Sequence, residues 1–173
     1  MTLRTLIVLA QFVAALGVFF SVVYLAIQVR QNAKITKAQF GHSLTSRLYE
    51  RYFLAAKDQE FSRFLAKNWS TDKLEDYEYW RITLWINTCL VDIFDTYDQH
   101  KHGLVDITHL NMRMNLLQAG LMKTRMGRPT WEFWKVNRSP EFIEWFETEI
   151  YGGLLTDTDP EGSAWQDLNM KRD

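Results

Sequence analysis

The polar and apolar pattern is dominated by one apolar run, residues 6–29, which holds no charged side chain in 24 positions. As a helix rising about 1.5 Å per residue, the run is roughly 36 Å long, enough to cross a ~30 Å hydrocarbon core. It is longer than the apolar core of a signal peptide, and no clear A-x-A cleavage pattern precedes Arg30. The pattern predicts an uncleaved transmembrane helix after a short N-terminal tail, residues 1–5.

The two sides of this predicted helix differ. At about 100° per residue, its small and polar residues fall within roughly one 80° sector, and large apolar residues cover the opposite side. Small residues let a second backbone approach closely, and Ser or Gln can hydrogen-bond across such a contact. We therefore predict that this sector, called the transmembrane face below, packs on other transmembrane helices. Its members are Ala10, Ala14, Gly17, Ser21, Tyr24 and Gln28.

The chain after the apolar run has helical periodicity and no convincing strand. Residues 30–152 are predicted to continue the transmembrane helix and then to form an antiparallel helical bundle, so the fold class is all-α. The longest helix of this domain is predicted at residues 73–100, where apolar residues cover more than half of the circumference. Residues 153–173 form an acidic C-terminal tail.

Short polar signals predict where the helices of the domain begin and end. Residues 107–126 are predicted as one helix that Gly127 and Pro129 stop, and Gly152 is predicted to end the last helix. Gly41 is a candidate kink in the helix that leaves the membrane. Four residues are predicted N-caps: Asp58, Asp106, Thr130 and Ser139.

Basic residues follow the apolar run directly, at Arg30, Lys34 and Lys37, whereas its N-terminal flank carries Arg4 and the amino group. The positive-inside rule then predicts an N-terminus outside and a cytoplasmic C-terminal domain. A basic band beside the membrane suits anionic lipids, although a merely solvated face gives the same pattern. The formal net charge of −1 argues against nucleic acid as a partner.

No catalytic motif is present, and we predict a protein that is not an enzyme and has no cofactor. The sequence lacks G-x-S-x-G and any glycine-rich phosphate loop, and Cys89 lies in an apolar run typical of a buried thiol. One polar cluster has spacing that suits a metal, but a solvated helix end explains it better, because E-x-x-H is absent. We therefore predict no metal site there; the cluster is Asp92, Asp95, Asp98, His100 and His102.

Tryptophan is frequent, with seven residues in 173. Trp131, Trp134 and Trp165 are predicted as possible partner contacts. Basic residues surround the first two of these tryptophans, so an anion, an acidic partner or lipid headgroups are alternatives for this segment. The basic residues are Arg125, Arg128, Lys135 and Arg138.

The residues 24–32, YLAIQVRQN, resemble a motif that ends the single N-terminal span of a widespread group of uncharacterised bacterial membrane proteins. That motif reads Y-L-A-x-Q-[IV]-R-Q-N, and the segment YDQHKHGLVD at residues 97–106 is similar to a helix–turn–helix segment of the same group. The resemblance implies a single-pass helical protein of a bacterial inner membrane, and it implies no activity.

These observations lead to two expectations about function. The first is a non-enzymatic accessory or structural subunit of a larger membrane complex, of respiratory or photosynthetic type, whose partners are the lipid bilayer and other transmembrane subunits. The alternative is a self-associating, membrane-anchored sensor or a helical module that binds a small molecule or lipid. The sequence alone leaves open whether the transmembrane face meets a second copy or a different chain.

Overall fold

A computed structural model of the chain describes residues 2–69 and 72–156. Every regular element in this part of the chain is helical, which confirms the all-α prediction. A short 3₁₀ turn, Leu121–Lys123, separates the fourth and fifth α-helices. The α-helices are α1 (Leu3–Lys57), α2 (Gln59–Leu65), α3 (Asp76–Lys101), α4 (Ile107–Gln118), α5 (Gly127–Lys135) and α6 (Pro140–Tyr151).

Helix α1 is a single element of 55 residues, about 80 Å long. It contains the apolar run and continues through Gly41, the candidate kink, without interruption. Residues 3–39 are exposed around the whole circumference of the helix. Among the described helices, α1 is the one that is long and apolar enough to cross a membrane by length and composition.

The second half of α1 packs on the rest of the molecule through one side. The spacing of Leu44, Leu48, Tyr52 and Ala55 predicts one apolar stripe on this side. Leu44, Leu48 and Ala55 are buried there, whereas Tyr52 is 46% exposed. Gly41 lies beside the start of α4, since a Cβ at this position would lie 3.2 Å from Nε2 of His109. This contact is tight but involves the end of a side chain, and no kink is formed at Gly41.

Helix α3 lies at the centre of the domain, as predicted for its wide apolar surface. Its buried residues contact α2, α4, α5 and α6 in one core. Aromatic rings fill the part of this core between α5 and α6, where the ring centroids of Trp131 and Phe146 are 4.2 Å apart. The buried residues of α3 in this core are Ile82, Ile86, Cys89, Leu90, Ile93 and Phe94.

Most of the predicted helix ends are confirmed. The side chains of Asp58, Asp106 and Ser139 each accept a hydrogen bond from a backbone N–H in the first turn of α2, α4 and α6. Gly152 follows α6 in the left-handed region, with φ of 80°, which a glycine adopts without strain.

The prediction of one helix over residues 107–126 is wrong. Helix α4 ends at Gln118, and Gly120 then adopts φ of 132°, a backbone conformation that side chains disfavour. Gly127 and Pro129 lie in the first turn of α5 and do not stop a helix. Thr130 is no N-cap either, because it is buried inside α5 and its hydroxyl donates to the carbonyl of Met126.

The close approach of two backbone segments explains the glycine at the start of α5. A Cβ at Gly127 would lie 2.3 Å from the carbonyl oxygen of Met122, which is far inside van der Waals contact. Only glycine lets the chain turn back on itself at this point, so the 3₁₀ turn and α5 can pack together.

We expect Gly127→Ala to lower the free energy of unfolding by about 3 kcal/mol, because the added methyl group must displace backbone atoms. Gly153→Ala is the matched control, since nothing lies within 4 Å of a Cβ at that position. Urea unfolding of both variants in mild detergent measures the difference. Equal stability of the two variants would contradict the close approach.

Candidate functional site

A buried ionic junction connects α1 with the domain. The carboxylate of Asp92 on α3 accepts a hydrogen bond from Nε of Arg113 on α4 at 2.9 Å, and the same oxygen atom also accepts from Arg51 on α1. The side chains of Asp92 and Arg113 are only 6% and 2% exposed. One carboxylate thus pairs with two guanidinium groups, which are 2% exposed in Arg113 and 11% exposed in Arg51.

Arg113 makes two further hydrogen bonds that extend this junction. Its Nη2 donates to the carbonyl oxygen of Leu44 on α1 at 2.7 Å, and its Nη1 donates to the carbonyl oxygen of His109 at 2.9 Å. The planar, rigid donor fork of arginine makes such a set of contacts directional. Arg113 therefore fixes the position of α1 relative to α3 and α4.

A second ion pair lies at the solvent edge of the junction, where Arg47 donates to Asp95 at 2.5 Å. Partial burial acts to raise the pKa of the Asp95 carboxyl, but hydrogen bonds from Arg47 and Gln99 hold that pKa below its usual value. Both side chains of the pair are more than 40% exposed, so it adds little stability compared with the buried junction.

The side chains of the polar cluster at the end of α3 form hydrogen bonds within the protein that stabilise its fold. Asp92 and Asp95 face arginines, while Nδ1 of His100 lies 3.2 Å from the carbonyl oxygen of Val105. Among residues 2–69 and 72–156, no group of three or more His, Cys, Asp or Glu side chains is placed to hold a metal ion. Burial raises the pKa of the Cys89 thiol to about 11, which suppresses the reactive thiolate.

Trp131, predicted as a possible partner contact, is fully buried in its own domain. Its Nε1 donates to the Glu147 carboxylate at 2.9 Å. Trp134 is half-buried, and its Nε1 donates to Oδ1 of Asn87 at 2.6 Å. Trp165 lies outside the described residues.

The basic residues around these tryptophans also act within the domain. Lys135 pairs with Glu147 at 2.7 Å, and Arg128 pairs with Glu132 at 3.0 Å. The guanidinium of Arg138 lies 4.4 Å from the ring centroid of Phe94. Arg125 lies over the ring of Tyr79 in a similar way. Two of the four basic groups are thus paired with carboxylates of the same domain.

Glu147 is a buried carboxylate that the sequence reasoning missed. Burial acts to raise its pKa, but hydrogen bonds from Lys135, the backbone N–H of Leu155 and Trp131 together hold the pKa below its usual value. The position of Glu147 on the apolar side of α6, four residues after Ile143, is the signal that could have revealed it. Its bond to Leu155 ties the chain after α6 back onto the domain.

The transmembrane face is exposed along its whole length. Two of its polar groups bond within α1: Oγ of Ser21 donates to the carbonyl oxygen of Gly17 at 2.8 Å, and Nε2 of Gln28 donates to Oη of Tyr24 at 2.9 Å. A Cβ at Gly17 would meet no atom within 4 Å. The face therefore has no neighbour among the described residues that explains its small side chains.

Arg30, Lys34 and Lys37 are exposed on α1 between the apolar run and the first contact with the domain. They lie on the side of the helix that Gly41 and Leu44 continue, one and two turns further along. This basic side thus faces the same direction as the domain, and the transmembrane face lies on another side of the helix.

An apolar groove lies where the end of α1 meets α2 and the end of α4. Its volume is about 490 Å³, and its apolar lining includes Tyr52, Leu65, Trp69, Trp85 and Leu116. This size and lining are within the range of small-molecule sites in proteins.

Comparison of the chain with protein-family models, with curated proteins and with solved structures finds no match. The resemblance of residues 24–32 to the anchor motif of a bacterial group therefore stays a prediction.

We expect Asp92→Asn to lower the free energy of unfolding by about 3–5 kcal/mol, because it leaves two buried guanidinium groups without their anion. Asp95→Asn, on the same helix, removes only the exposed pair and should cost less than about 1 kcal/mol. Urea unfolding in mild detergent compares the two variants. Similar losses for both would contradict the special role of the buried junction.

Acid should destabilise the domain partly through Glu147. Because its folded-state pKa is lowered from the ordinary value of 4.5, its stabilising contribution is fully present above pH 4.5. That contribution is lost as the pH falls from 4.5 through the lowered folded-state pKa. We expect Glu147→Gln to be less stable at pH 7 and to show a shallower loss between pH 5 and about 3 in thermal melts. An unchanged slope would contradict the assignment.

Proposed function

We propose that this protein is a non-enzymatic accessory subunit of a membrane protein assembly, with α1 as its transmembrane anchor. The observation that carries the proposal is the exposed transmembrane face on a helix that is fixed to the domain. Small residues at a helix surface favour close helix–helix contact in lipid, where bulky apolar side chains have no such advantage.

The buried junction supports this proposal. Arg113 and Asp92 hold the second half of α1 on the domain, so a partner that binds the first half also sets the orientation of the domain. An anchor that served only to attach the domain to lipid would need neither the small-residue face nor such a fixed connection.

The charges of α1 support an orientation with the domain in the cytoplasm of a bacterium and the N-terminus outside its inner membrane. Arg30, Lys34 and Lys37 follow the apolar run within about 12 Å along the helix axis, close to the anionic headgroups. In this arrangement α3–α6 form an antiparallel bundle on the cytoplasmic side. Respiratory and photosynthetic complexes are the class of host that we propose.

A helical module that binds a small apolar molecule or lipid is the second candidate. The observation that favours it is the apolar groove beside Trp69 and Trp85. The aromatic core between α5 and α6 is filled by its own side chains, so the groove is where such a ligand would bind.

Association through the transmembrane face is tested by Gly17→Leu. A Cβ at this position meets no atom within 4 Å and the side is exposed, so an effect on assembly reports on a contact with another helix. We expect the wild-type protein in mild detergent to elute as an assembly larger than 20.5 kDa, and the variant to shift toward the monomer.

Val23→Leu, which lies on the opposite side of α1, is the matched control and should leave the assembly intact. Mass spectrometry of the purified assembly then identifies its subunits. A wild-type protein that is monomeric, with Gly17→Leu indistinguishable from it, would contradict the proposed function.

A further inference from the structure

The transmembrane face continues beyond the apolar run as part of a longer pattern. Its residues recur at alternating steps of four and three, and the same steps continue without interruption to Ala56. This spacing defines the a and d positions of a heptad repeat. Every member is exposed in the structure. The set, called the heptad line below, is Ala10, Ala14, Gly17, Ser21, Tyr24, Gln28, Gln31, Ile35, Ala38, His42, Thr45, Tyr49, Tyr52 and Ala56.

The heptad line carries no Asp, Glu, Lys or Arg, although seven such residues lie between Arg30 and Lys57. The domain occupies a different line of α1, at the c and g positions, where Leu44, Leu48 and Ala55 are buried. The domain therefore leaves every member of the heptad line exposed, although the α3–α4 turn lies beside Ala38, His42 and Thr45. Tyr52 also lines the apolar groove.

Exposed aromatic residues mark the end of the line that lies beyond the apolar run. Tyr49 is 68% exposed and Tyr52 is 46% exposed. Phe53, at the flanking e position, is 51% exposed and stacks on Tyr49 with a centroid distance of 5.9 Å. Contiguous aromatic side chains on a surface in water indicate a contact site.

The length and continuity of the line restrict what can cover it. It extends over 47 residues, about 70 Å, and crosses from the apolar run into the region of the domain. A partner must therefore contain a helix that leaves the membrane in the same direction and keeps a heptad pattern over the same distance. A second copy of α1 meets this requirement in register.

The polar residues of the line are self-complementary. Ser, Thr, Tyr, Gln and neutral His each carry both a donor and an acceptor, so each can pair with its own copy across a two-fold axis. Gln28 donates to Tyr24 within one helix, which leaves the Tyr24 O–H donor and Oε1 of Gln28 to face the second helix. Charged residues, which would repel their symmetric copies, are the types that the line lacks.

We propose that two copies of this protein pair through α1 as a parallel, two-stranded, left-handed coiled coil. The handedness follows because a repeat of 3.5 residues drifts about 20° per heptad on a straight helix. The proposal rests on the proposed function, since it names the partner of the transmembrane face. The two domains then lie on opposite sides of the paired helices.

Cysteine cross-linking of the full chain in native membranes tests the pairing. Ala38→Cys places a thiol on the heptad line, and Ala33→Cys places one on the opposite side of α1. Ala14→Cys and Ala15→Cys form the same kind of pair within the apolar run. The natural Cys89 is buried, so the wild-type protein is the background control.

We expect mild oxidation to give a disulfide-linked dimer of twice 20.5 kDa for Ala38→Cys and Ala14→Cys, at least about tenfold above their controls. Adding Gly17→Leu should reduce the dimer at position 38, about 32 Å further along the helix, by a similar factor.

Three results would overturn the pairing: no dimer from either heptad position, equal dimer from the control positions, or a dimer at position 38 that Gly17→Leu leaves unchanged. The size of the assembly separates this failure from failure of the proposed function. An assembly that persists without self-cross-linking contains a different partner, so only the pairing fails. A monomer in native membranes contradicts both.

Discussion

The contact of Arg113 with Asp92 and Leu44 is the interaction on which the arrangement of this molecule depends. It joins three helices at one guanidinium group, and two of them, α1 and α3, are separated by the α2 segment in the chain. A buried ion pair contributes little net stability compared with apolar residues of the same size, but leaving one partner alone is costly. The pair therefore selects one position of α1 and penalises the alternatives.

The consequence is that the apolar run and the domain behave as one unit. Helix α1 has no break between the apolar run and Lys57, and the junction fixes its second half by directional bonds. Rotation of α1 about its own axis would therefore rotate the domain with it. The buried line at Leu44, Leu48 and Ala55 determines which side of the helix faces the domain, and so which side remains for a partner.

Local features of this fold are predictable from sequence, whereas contacts between distant segments are not. The caps at Asp58, Asp106 and Ser139 depend on residues at most three apart, so the sequence reveals them directly. The turn before α5 depends on the approach of Gly127 to Met122, which only the packed structure shows. The sequence therefore predicts one helix over residues 107–126, whereas in the structure Gly120 interrupts this segment.

A charged residue on the apolar face of a helix indicates a buried ion pair that stabilises the fold. This position distinguishes it from a charged residue in a solvent-exposed binding site. Asp92 lies three residues after Cys89 on the buried side of α3, and Arg113 lies between Leu110 and Leu117 on the core side of α4, so both positions indicate burial. Spacing alone instead suggests that Asp92, Asp95 and Asp98 form a cluster for a metal. Because a buried charge needs a partner of opposite sign, the pairing of Asp92 with Arg113 follows from burial. On α1 the charges lie off the heptad line, which is the condition for two identical helices to approach without repulsion.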